Sequence, residues 1–437
     1  MQENNYLVKN FRVIYIGLFT LGLLLSYWYA SHQIVDGDIT QMLDKGYHGF
    51  LTGEWSSYGN AASVVGNVPG SLLALVVGLP LFIVDSPWAP MSLLILLKAG
   101  SFFLLDNVIK NSFDNTIRLV FLLIYWLNPW FLFESILYNP SYLFFFSALH
   151  LWSAFHLREK SSFFYSFVHL FSIGMALQIH YSWIILAIMS LFLLYKNIVK
   201  VNWFGVVFAA IVIIASLIPY FQELMHNEAI RSNEGNKDGE RYIGWGGVHV
   251  YPVLKAFLYW FRYGSFIFTN KLVTGADFDW LTASHILQQI LKYTYQAIIF
   301  GVGAFTLWLS FQANKYLYQR TKKNFLMRLT PNTIDIQTWL QIYIVSAIIG
   351  VFISAVLSPI IFNYWHLLII FPFAVLTVLQ YINEIQKTRV IRNFFIVFFY
   401  LLAINLVASI DSKKYDLHSK YSQEVSKYLN SKNIYEN

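Results

Sequence analysis

The chain has 437 residues, of which 57% are hydrophobic and 19% aromatic, while only 12% are charged. The mean hydropathy of +0.52 lies outside the range of soluble domains and indicates a polytopic membrane protein. The net charge of +7 therefore does not predict nucleic-acid binding, since basic residues collect in the cytoplasmic loops of membrane proteins. The absence of cysteine excludes disulfides and thiolate metal sites.

The start of the chain predicts an uncleaved first membrane helix. Lys9 and Arg12 precede the apolar run Val13–Ala30, and Trp28 is too bulky for the small-residue site that a signal peptidase needs. We therefore expect a cytoplasmic N-terminus and an extracytoplasmic loop over residues 31–87.

This first loop combines acidic residues with a short apolar stretch. Asp36 and Asp38 come directly after the first helix. The stretch Ser71–Val84 has about fourteen residues, fewer than the roughly 20 that a spanning helix needs. We therefore predict that it forms a helix at the membrane interface.

Ten further apolar segments predict membrane helices, so that the chain crosses the membrane about eleven times. They are Trp88–Leu105, Leu119–Phe133, Tyr142–Phe155, Phe163–Ala176, Tyr181–Tyr195, Trp203–Tyr220, Tyr295–Phe311, Trp339–Leu357, Tyr364–Tyr381 and Phe394–Ile410. With this count, every strongly basic short loop falls on one side, as the positive-inside rule requires. Counting Ser71–Val84 as a crossing would break this agreement.

The predicted topology divides the chain into four parts. Residues 1–220 form a catalytic membrane core, and residues 221–294 form a second large extracytoplasmic loop with many charged and aromatic side chains. Residues 295–410 contain the last membrane helices, and residues 411–437 form an extracytoplasmic tail. A loop as long as 221–294 is usually functional.

Several short motifs resemble, in their order and spacing, the GT-C superfamily of glycosyltransferases that use lipid-phosphate sugars. The motifs are Asp36-Gly37-Asp38, Tyr47, Gly53-Glu54-Trp55, Pro69-Gly70-Ser71-Leu72-Leu73, Asn139-Pro140-Ser141, Leu177-Gln178-Ile179-His180-Tyr181, Asn363-Tyr364-Trp365-His366-Leu367 and Phe371-Pro372. The chain is similar to family-39-like members such as aminoarabinose transferases and protein O-mannosyltransferases, chiefly up to Tyr220. Asn363 departs from the pattern, because many relatives have arginine there.

This resemblance implies an all-α GT-C fold with interface helices in the first extracytoplasmic loop and a second outer loop after the seventh helix. It also implies inverting transfer of a sugar from a polyprenyl-phosphate donor to a hydroxyl of a glycan, lipid or protein acceptor. The reaction would take place on the extracytoplasmic side of a bacterial plasma membrane, in contact with membrane lipid.

The first loop supplies the candidate catalytic residues. A hydroxyl nucleophile needs a carboxylate to take its proton, and Asp38 is the leading candidate, with Asp36 capping a helix or orienting its neighbour. We expect the N-terminal helix dipole and the free amide groups to keep the pKa of Asp38 low enough for ionisation at neutral pH. Two carboxylates without a third ligand are weak support for a divalent cation, so we expect no cofactor.

The candidate substrate-binding residues lie in the outer loops and at helix ends. They are Glu54, Tyr58, Glu134, Asn139, His180, Tyr181, Arg231, Arg241, Lys255, Arg262, Tyr364 and His366. Cations and histidines would stabilise the negative charge on the leaving phosphate, with Arg241 and Arg262 preferred. Structural roles are the alternatives: Asn139 would start a helix, and His180 would hydrogen-bond within a helix junction.

Two other classes of protein remain open at this point. An O-antigen-type polysaccharide polymerase or ligase would place key arginines in the late loop and would need no acid after the first helix. A transporter would have charged or broken-helix features at mid-membrane, whereas the ionisable residues here lie near helix ends.

Overall fold

The computed structural model describes residues 9–62, 66–227, 250–266, 278–324, 334–358, 360–385, 390–408, 410 and 412–432. Sixteen α-helices lie in this part of the chain. They are α1 (Phe11–Ser31), α2 (Gly37–Thr52), α3 (Leu72–Gly78), α4 (Trp88–Ser112), α5 (Asn115–Phe121), α6 (Pro129–Phe133), α7 (Leu143–Leu157), α8 (Phe163–Leu177), α9 (Trp183–Tyr195), α10 (Trp203–His226), α11 (Val250–Tyr263), α12 (His285–Thr321), α13 (Ile336–Leu357), α14 (Phe371–Ile385), α15 (Val390–Ala408) and α16 (Tyr421–Ser431).

Strands β1 (Tyr58–Ala61) and β2 (Asn67–Pro69) form a small antiparallel sheet in the first loop, in which Tyr58 pairs with Pro69. The predicted all-α membrane fold is therefore confirmed, with this short hairpin as an addition. The rest of the described chain is helical or irregular.

Six helical segments of the described residues are long and apolar enough to cross a membrane: α1, α4, α10, α12, α13 and the continuous segment Tyr364–Ile385. Each of the eleven predicted segments contains a helix, but several are short. Helix α8 has 15 residues, which at 1.5 Å per residue is about 22 Å long, less than the roughly 30 Å hydrocarbon core of a bilayer. The count of eleven crossings therefore stays a prediction.

One of the predicted helices is interrupted. The segment Leu119–Phe133 passes from α5 through a π-helical turn, Leu122–Trp126, to α6, which begins at Pro129. The Asn128 side chain accepts a hydrogen bond from the Trp130 amide at 3.0 Å and so caps α6. Hydropathy does not reveal this break, because both sides of it are apolar.

Other boundaries differ from those predicted because hydropathy detects only the apolar part of a helix. The predicted segment Tyr295–Phe311 is the middle of α12, which has 37 residues and polar ends. The predicted helix Tyr364–Tyr381 begins as a 3₁₀ helix, Tyr364–Ile370, and continues as α14.

The first loop packs as a compact unit. Helix α2 lies against the short helix α3, and a Cβ atom on Gly46 would sit only 2.3 Å from Val77 Cγ1. The stretch Ser71–Val84 forms α3 and a 3₁₀ turn, Leu79–Phe82, so it is a short helical segment as predicted.

The C-terminal segment 412–432 folds back onto the first loop. Tyr415 forms an isolated antiparallel bridge with Gln33, and Tyr421, Val425 and Leu429 of α16 are buried. In the predicted topology, residues 411–437 are only an extracytoplasmic tail. The segment lacks a long apolar run, so hydropathy does not predict this packing.

Candidate active site

A cavity of about 430 Å³ lies between the first loop and the helix ends of the bundle. Its walls come from six parts of the fold: the start of α2, the β-hairpin, the segment before α7, the α8–α9 junction, the end of α13 and the segment before α14. The side chains that carry potential chemistry on these walls are Asp38, Asn60, Tyr138, Asn139, His180, Tyr181, Trp365 and His366.

Asp38 lies in the first turn of α2, is partly buried and lines this cavity. Its Oδ1 accepts a hydrogen bond from Gln41 Nε2 at 3.4 Å, and its backbone carbonyl accepts one from Asn60 Nδ2 at 3.0 Å. Asp36 is exposed, occupies the N-cap position of α2 without a side-chain capping bond, and does not line the cavity. The two acids are separated by Gly37, whose φ of 48° lies in the left-handed region.

The pKa of Asp38 is shifted in the direction opposite to the one that a helix N-terminus favours, and its expected ionisation at neutral pH stays a prediction. Burial raises the pKa of this carboxyl above its ordinary value, and Asp36 adds to the rise, whereas Lys414 and Lys45 oppose it. The position at a helix N-terminus does not compensate for the loss of water around the charged form. A carboxyl with a raised pKa is nearer to the range in which a general base works best.

His180 and His366 face the same cavity, with ring centroids 5.5 Å apart. The Ser182 amide donates to His180 Nδ1 at 3.1 Å, and the Asn363 amide donates to His366 Nδ1 at 2.9 Å. A neutral imidazole whose Nδ1 accepts carries its proton on Nε2. Burial lowers the pKa of His180 to about 4, which keeps that ring neutral at physiological pH.

Neither histidine Nε2 atom has a hydrogen-bond partner among the residues that the structure describes. Each ring therefore presents an unused N–H donor to the cavity or its wall. Two neutral N–H donors are suited to a negatively charged oxygen, because they bind it without a buried counter-charge that must itself be desolvated.

Asn139 and Tyr181 line the cavity but also have structural contacts. Asn139 Nδ2 donates to the Ile179 carbonyl at 3.0 Å, and the Tyr181 hydroxyl donates to the Asn67 carbonyl at 3.1 Å. These bonds tie the α8–α9 junction to the segment before α7 and to the β-hairpin. Asn139 also begins a 3₁₀ helix, as the structural alternative predicts.

Glu134 is fully buried. Its Oε2 accepts a hydrogen bond from the Ser141 hydroxyl at 3.0 Å, and its Oε1 has no partner within the described part of the chain. Lys98 lies nearby and donates to the Phe131 carbonyl at 2.6 Å and to the Ser135 hydroxyl at 2.8 Å. Glu134 therefore faces the protein interior and does not line the cavity.

The remaining predicted residues are not on the cavity wall. The Glu54 side chain is 85% exposed, and its Oε2 lies 3.9 Å from His48 Nε2. The Lys45 ammonium lies over the Tyr58 ring, 5.5 Å from the ring centroid. Tyr364 is buried and packs against Trp130.

Two of the predicted phosphate-binding cations, Arg262 and Lys255, are also not on the cavity wall. The Arg262 guanidinium is buried between Tyr259 and Trp130, at 4.8 Å and 5.2 Å from their ring centroids. The Lys255 ammonium lies 5.3 Å from the ring centroid of Tyr251 on the same helix. Arg231 and Arg241 fall outside the described residues. Contacts of these four cations with a donor phosphate stay predictions.

Lys414 is not among the predicted site residues but lies close to the cavity. The folded-back C-terminal segment places this ammonium 4.5 Å from the ring centroid of Tyr138, which lines the cavity, and close enough to influence Asp36, Asp38 and Glu134. In the sequence it is one of two lysines that follow the last apolar segment, a position typical of a flanking charge. No pattern in the sequence relates it to the first loop.

Within the described ranges, no group of three or more His, Cys, Asp or Glu side chains is arranged to hold a metal ion. Asp36 and Asp38 point to different surroundings, one exposed and one on the cavity wall. The expectation of no cofactor stays a prediction.

The similarity of this protein to known proteins lies in its fold. No protein-family model matches the sequence, and no curated protein matches it significantly. The structure is similar to ArnT from Cupriavidus metallidurans bound to undecaprenyl phosphate, with a TM-score of 0.53, 10% identity and coverage of 90% of this chain. The apo form of the same ArnT matches with a TM-score of 0.52, 10% identity and coverage of 94% of this chain.

The chain spans 64% of the length of the first ArnT structure and 67% of the second. The Archaeoglobus fulgidus oligosaccharyltransferase in complex with Zn and sulfate is a weaker match, with a TM-score of 0.43, 13% identity and coverage of 94% of this chain and 53% of that one. The similarity to the two ArnT structures confirms the predicted fold, and membership of the superfamily stays a prediction. With its bundle of apolar helices and its helical first loop, this protein is a membrane protein with a GT-C-like fold.

Proposed function

We propose that the protein transfers a sugar from a polyprenyl-phosphate donor to an acceptor hydroxyl, with inversion, in the cavity between the first loop and the bundle. One observation carries the proposal: a carboxylate, Asp38, and two unused N–H donors, on His180 and His366, line one cavity in a GT-C-like fold. We place this cavity on the extracytoplasmic side of the membrane, following the positive-inside rule.

The cavity offers different surfaces to the two ends of such a donor. The histidine N–H groups suit the phosphate, and Trp183, Ile184, Ile185, Leu357 and Ile360 form an apolar wall suited to the first isoprene units. Leu357 is 66% exposed at the end of α13, where a lipid chain could leave the cavity for the bilayer. The similar ArnT structure contains undecaprenyl phosphate, which supports a lipid of this class.

In the proposed reaction, the acceptor oxygen attacks the anomeric carbon while its proton passes to the Asp38 carboxylate. The bond between the anomeric carbon and the phosphate oxygen breaks, and its electron pair stays on the polyprenyl phosphate. Attack from the face opposite the phosphate inverts the configuration. The N–H donors of His180 and His366 stabilise the charge that develops on the leaving oxygen.

A binding experiment tests the donor site. Purified protein in lipid nanodiscs is titrated with undecaprenyl phosphate and with undecaprenol, which lacks the phosphate. We expect His180→Ala and His366→Ala each to weaken undecaprenyl phosphate binding by roughly 10- to 100-fold, since a hydrogen bond to a charged group contributes about 1.5–3 kcal/mol. Binding of undecaprenol should change little.

The matched control is His226→Ala, because His226 is exposed at the end of α10 and does not line the cavity. Its affinity for undecaprenyl phosphate should equal that of the wild type. If the wild type binds phosphate and alcohol equally, or if both cavity histidines can be replaced without loss, the donor site is not here.

A transfer experiment tests the reaction. The same protein is incubated with a panel of undecaprenyl-phosphate sugars and hydroxyl acceptors, and the release of undecaprenyl phosphate is followed by mass spectrometry. Acceptor-dependent release that yields a glycoside of inverted configuration is the expected result. Retention of configuration would exclude the single displacement assisted by Asp38.

A further inference from the structure

The C-terminal segment forms backbone pairing with the first loop immediately before the acidic pair. The Ile34 amide donates to the Lys414 carbonyl at 2.9 Å, and the Asp416 amide donates to the His32 carbonyl at 2.9 Å. Lys414 is therefore paired with Ile34, which precedes Asp36 by two residues in the first loop.

Two anchors fix this arrangement, one within the pairing and one farther along the chain. Tyr415 is fully buried, its ring packs edge-on against Tyr29 and Phe133, and its hydroxyl donates to the Phe133 carbonyl. Farther along, the Tyr428 hydroxyl of α16 donates to Asp44 Oδ1 of α2 at 2.9 Å. The segment is therefore an integral part of the fold around the first loop.

The Lys414 ammonium lies over Tyr138 and does not form a close ion pair. The distance from Nζ to the Tyr138 ring centroid is 4.5 Å, and in the part of the chain that the structure describes no carboxylate oxygen lies within 4 Å of it. Its charge therefore acts through space on several carboxylates and is not neutralised by one. Cation–aromatic contact helps to hold a lysine in such a place.

We propose that Lys414 is an electrostatic positioning residue, which keeps the Asp38 carboxylate ionised in the partly buried cavity wall and so makes the C-terminal segment a part of the catalytic unit. Its importance for catalysis rests on the proposed function, in which Asp38 accepts the proton. Its effect on the ionisation of Asp38 is independent of that function.

The direction of the effect follows from the groups around the carboxyl. Burial raises the pKa of Asp38, whereas the positive charges of Lys414 and Lys45 lower it. Of these two charges, Lys414 has the larger effect. Removing the charge of residue 414 therefore raises the pKa of Asp38 further. The charged groups that act on Asp38 are Lys414 from the C-terminal segment and Asp36 and Lys45 from the first loop. The other titratable side chains on the same cavity are Tyr138, His180, Tyr181 and His366.

Carbodiimide labelling measures this ionisation without any assay of transfer. N,N′-dicyclohexylcarbodiimide reacts with protonated carboxyl groups, so the pH at which labelling of Asp38 is half-maximal follows its pKa. Full-length protein in nanodiscs is labelled between pH 4 and 9, and modification at Asp38 is quantified by fragment-ion mass spectrometry. We expect Lys414→Met to move the midpoint to higher pH.

Two variants separate the charge of Lys414 from its packing. Lys413→Met removes the exposed neighbouring lysine and should leave the midpoint unchanged, whereas Lys414→Arg keeps the charge and should restore the wild-type midpoint. If Lys414→Met does not give a monodisperse protein, Lys414→Gln takes its place. A well-folded neutral variant with the wild-type midpoint, or an arginine variant that behaves like the methionine variant, overturns the proposal.

The labelling result and the transfer result are separable. A shifted midpoint in a protein that transfers no sugar supports the electrostatic link and contradicts the proposed function. Sugar transfer by the wild type together with an unshifted Lys414→Met midpoint supports the function and contradicts the link.

Discussion

The replacement Asp38→Asn isolates the proton-accepting function of the carboxyl, because an amide has almost the same shape. The amide oxygen can still accept from Gln41 Nε2, and the backbone bond from Asn60 to residue 38 does not involve the side chain. The cavity wall should therefore keep its geometry, while the group at this position can no longer take a proton at neutral pH.

The expected loss is that of a general base, about 10²- to 10⁴-fold in kcat. At 1.36 kcal/mol for each factor of ten, this equals about 2.7–5.5 kcal/mol of the activation barrier. Affinity for undecaprenyl phosphate should stay near that of the wild type, since the proposed phosphate donors are His180 and His366.

Stability should not fall in this variant. Burial raises the pKa of Asp38 above its value in the unfolded chain, so its stabilising contribution is present at low pH and is lost as the pH rises through the folded-state pKa. At neutral pH the carboxylate therefore opposes folding, and a neutral amide removes that penalty. The melting temperature of Asp38→Asn should equal or exceed that of the wild type.

The assay combines initial rates of undecaprenyl phosphate release with melting curves of the same nanodisc samples. Asp36→Asn is the matched control, because Asp36 is exposed and does not line the cavity. The wild-type rate should also fall as the pH is lowered through the pKa of Asp38, since the base must be ionised. Near-normal kcat in Asp38→Asn, with loss of activity in Asp36→Asn, would transfer the role to Asp36.

Two further predictions concern packing and topology. Gly70→Ala should destabilise the protein by roughly 1–3 kcal/mol and lower its melting temperature, because φ at Gly70 is +87° and the new Cβ would lie 2.3 Å from Gln178 Oε1. Gly17→Ala is the control and should have little effect, because no atom lies within 4 Å of its new Cβ. Cysteines introduced as Glu54→Cys and Lys322→Cys should be labelled by a membrane-impermeant maleimide from the extracytoplasmic and the cytoplasmic side respectively. The reverse pattern would invert the topology and remove the site from the side where we place it.

The sequence by itself determined the class of the protein and the position of its candidate base. Apolar runs must be buried in a bilayer or a core wherever they occur, so composition alone predicts membrane helices. An acid immediately after such a run lies at the helix end, because the helix cannot extend far beyond its apolar part. The sequence therefore locates Asp38 just beyond the end of the first helix.

Only the tertiary structure decided which groups surround Asp38. His180 and His366 lie far apart in the sequence, and the availability of their Nε2–H groups depends on which backbone amides bond to Nδ1. Lys414 reaches the first loop through backbone pairing, which any sequence can form and which therefore leaves no signal. The pKa of Asp38 likewise depends on burial and on neighbouring charges, and these are properties of the assembled fold and not of the residue's position in the chain.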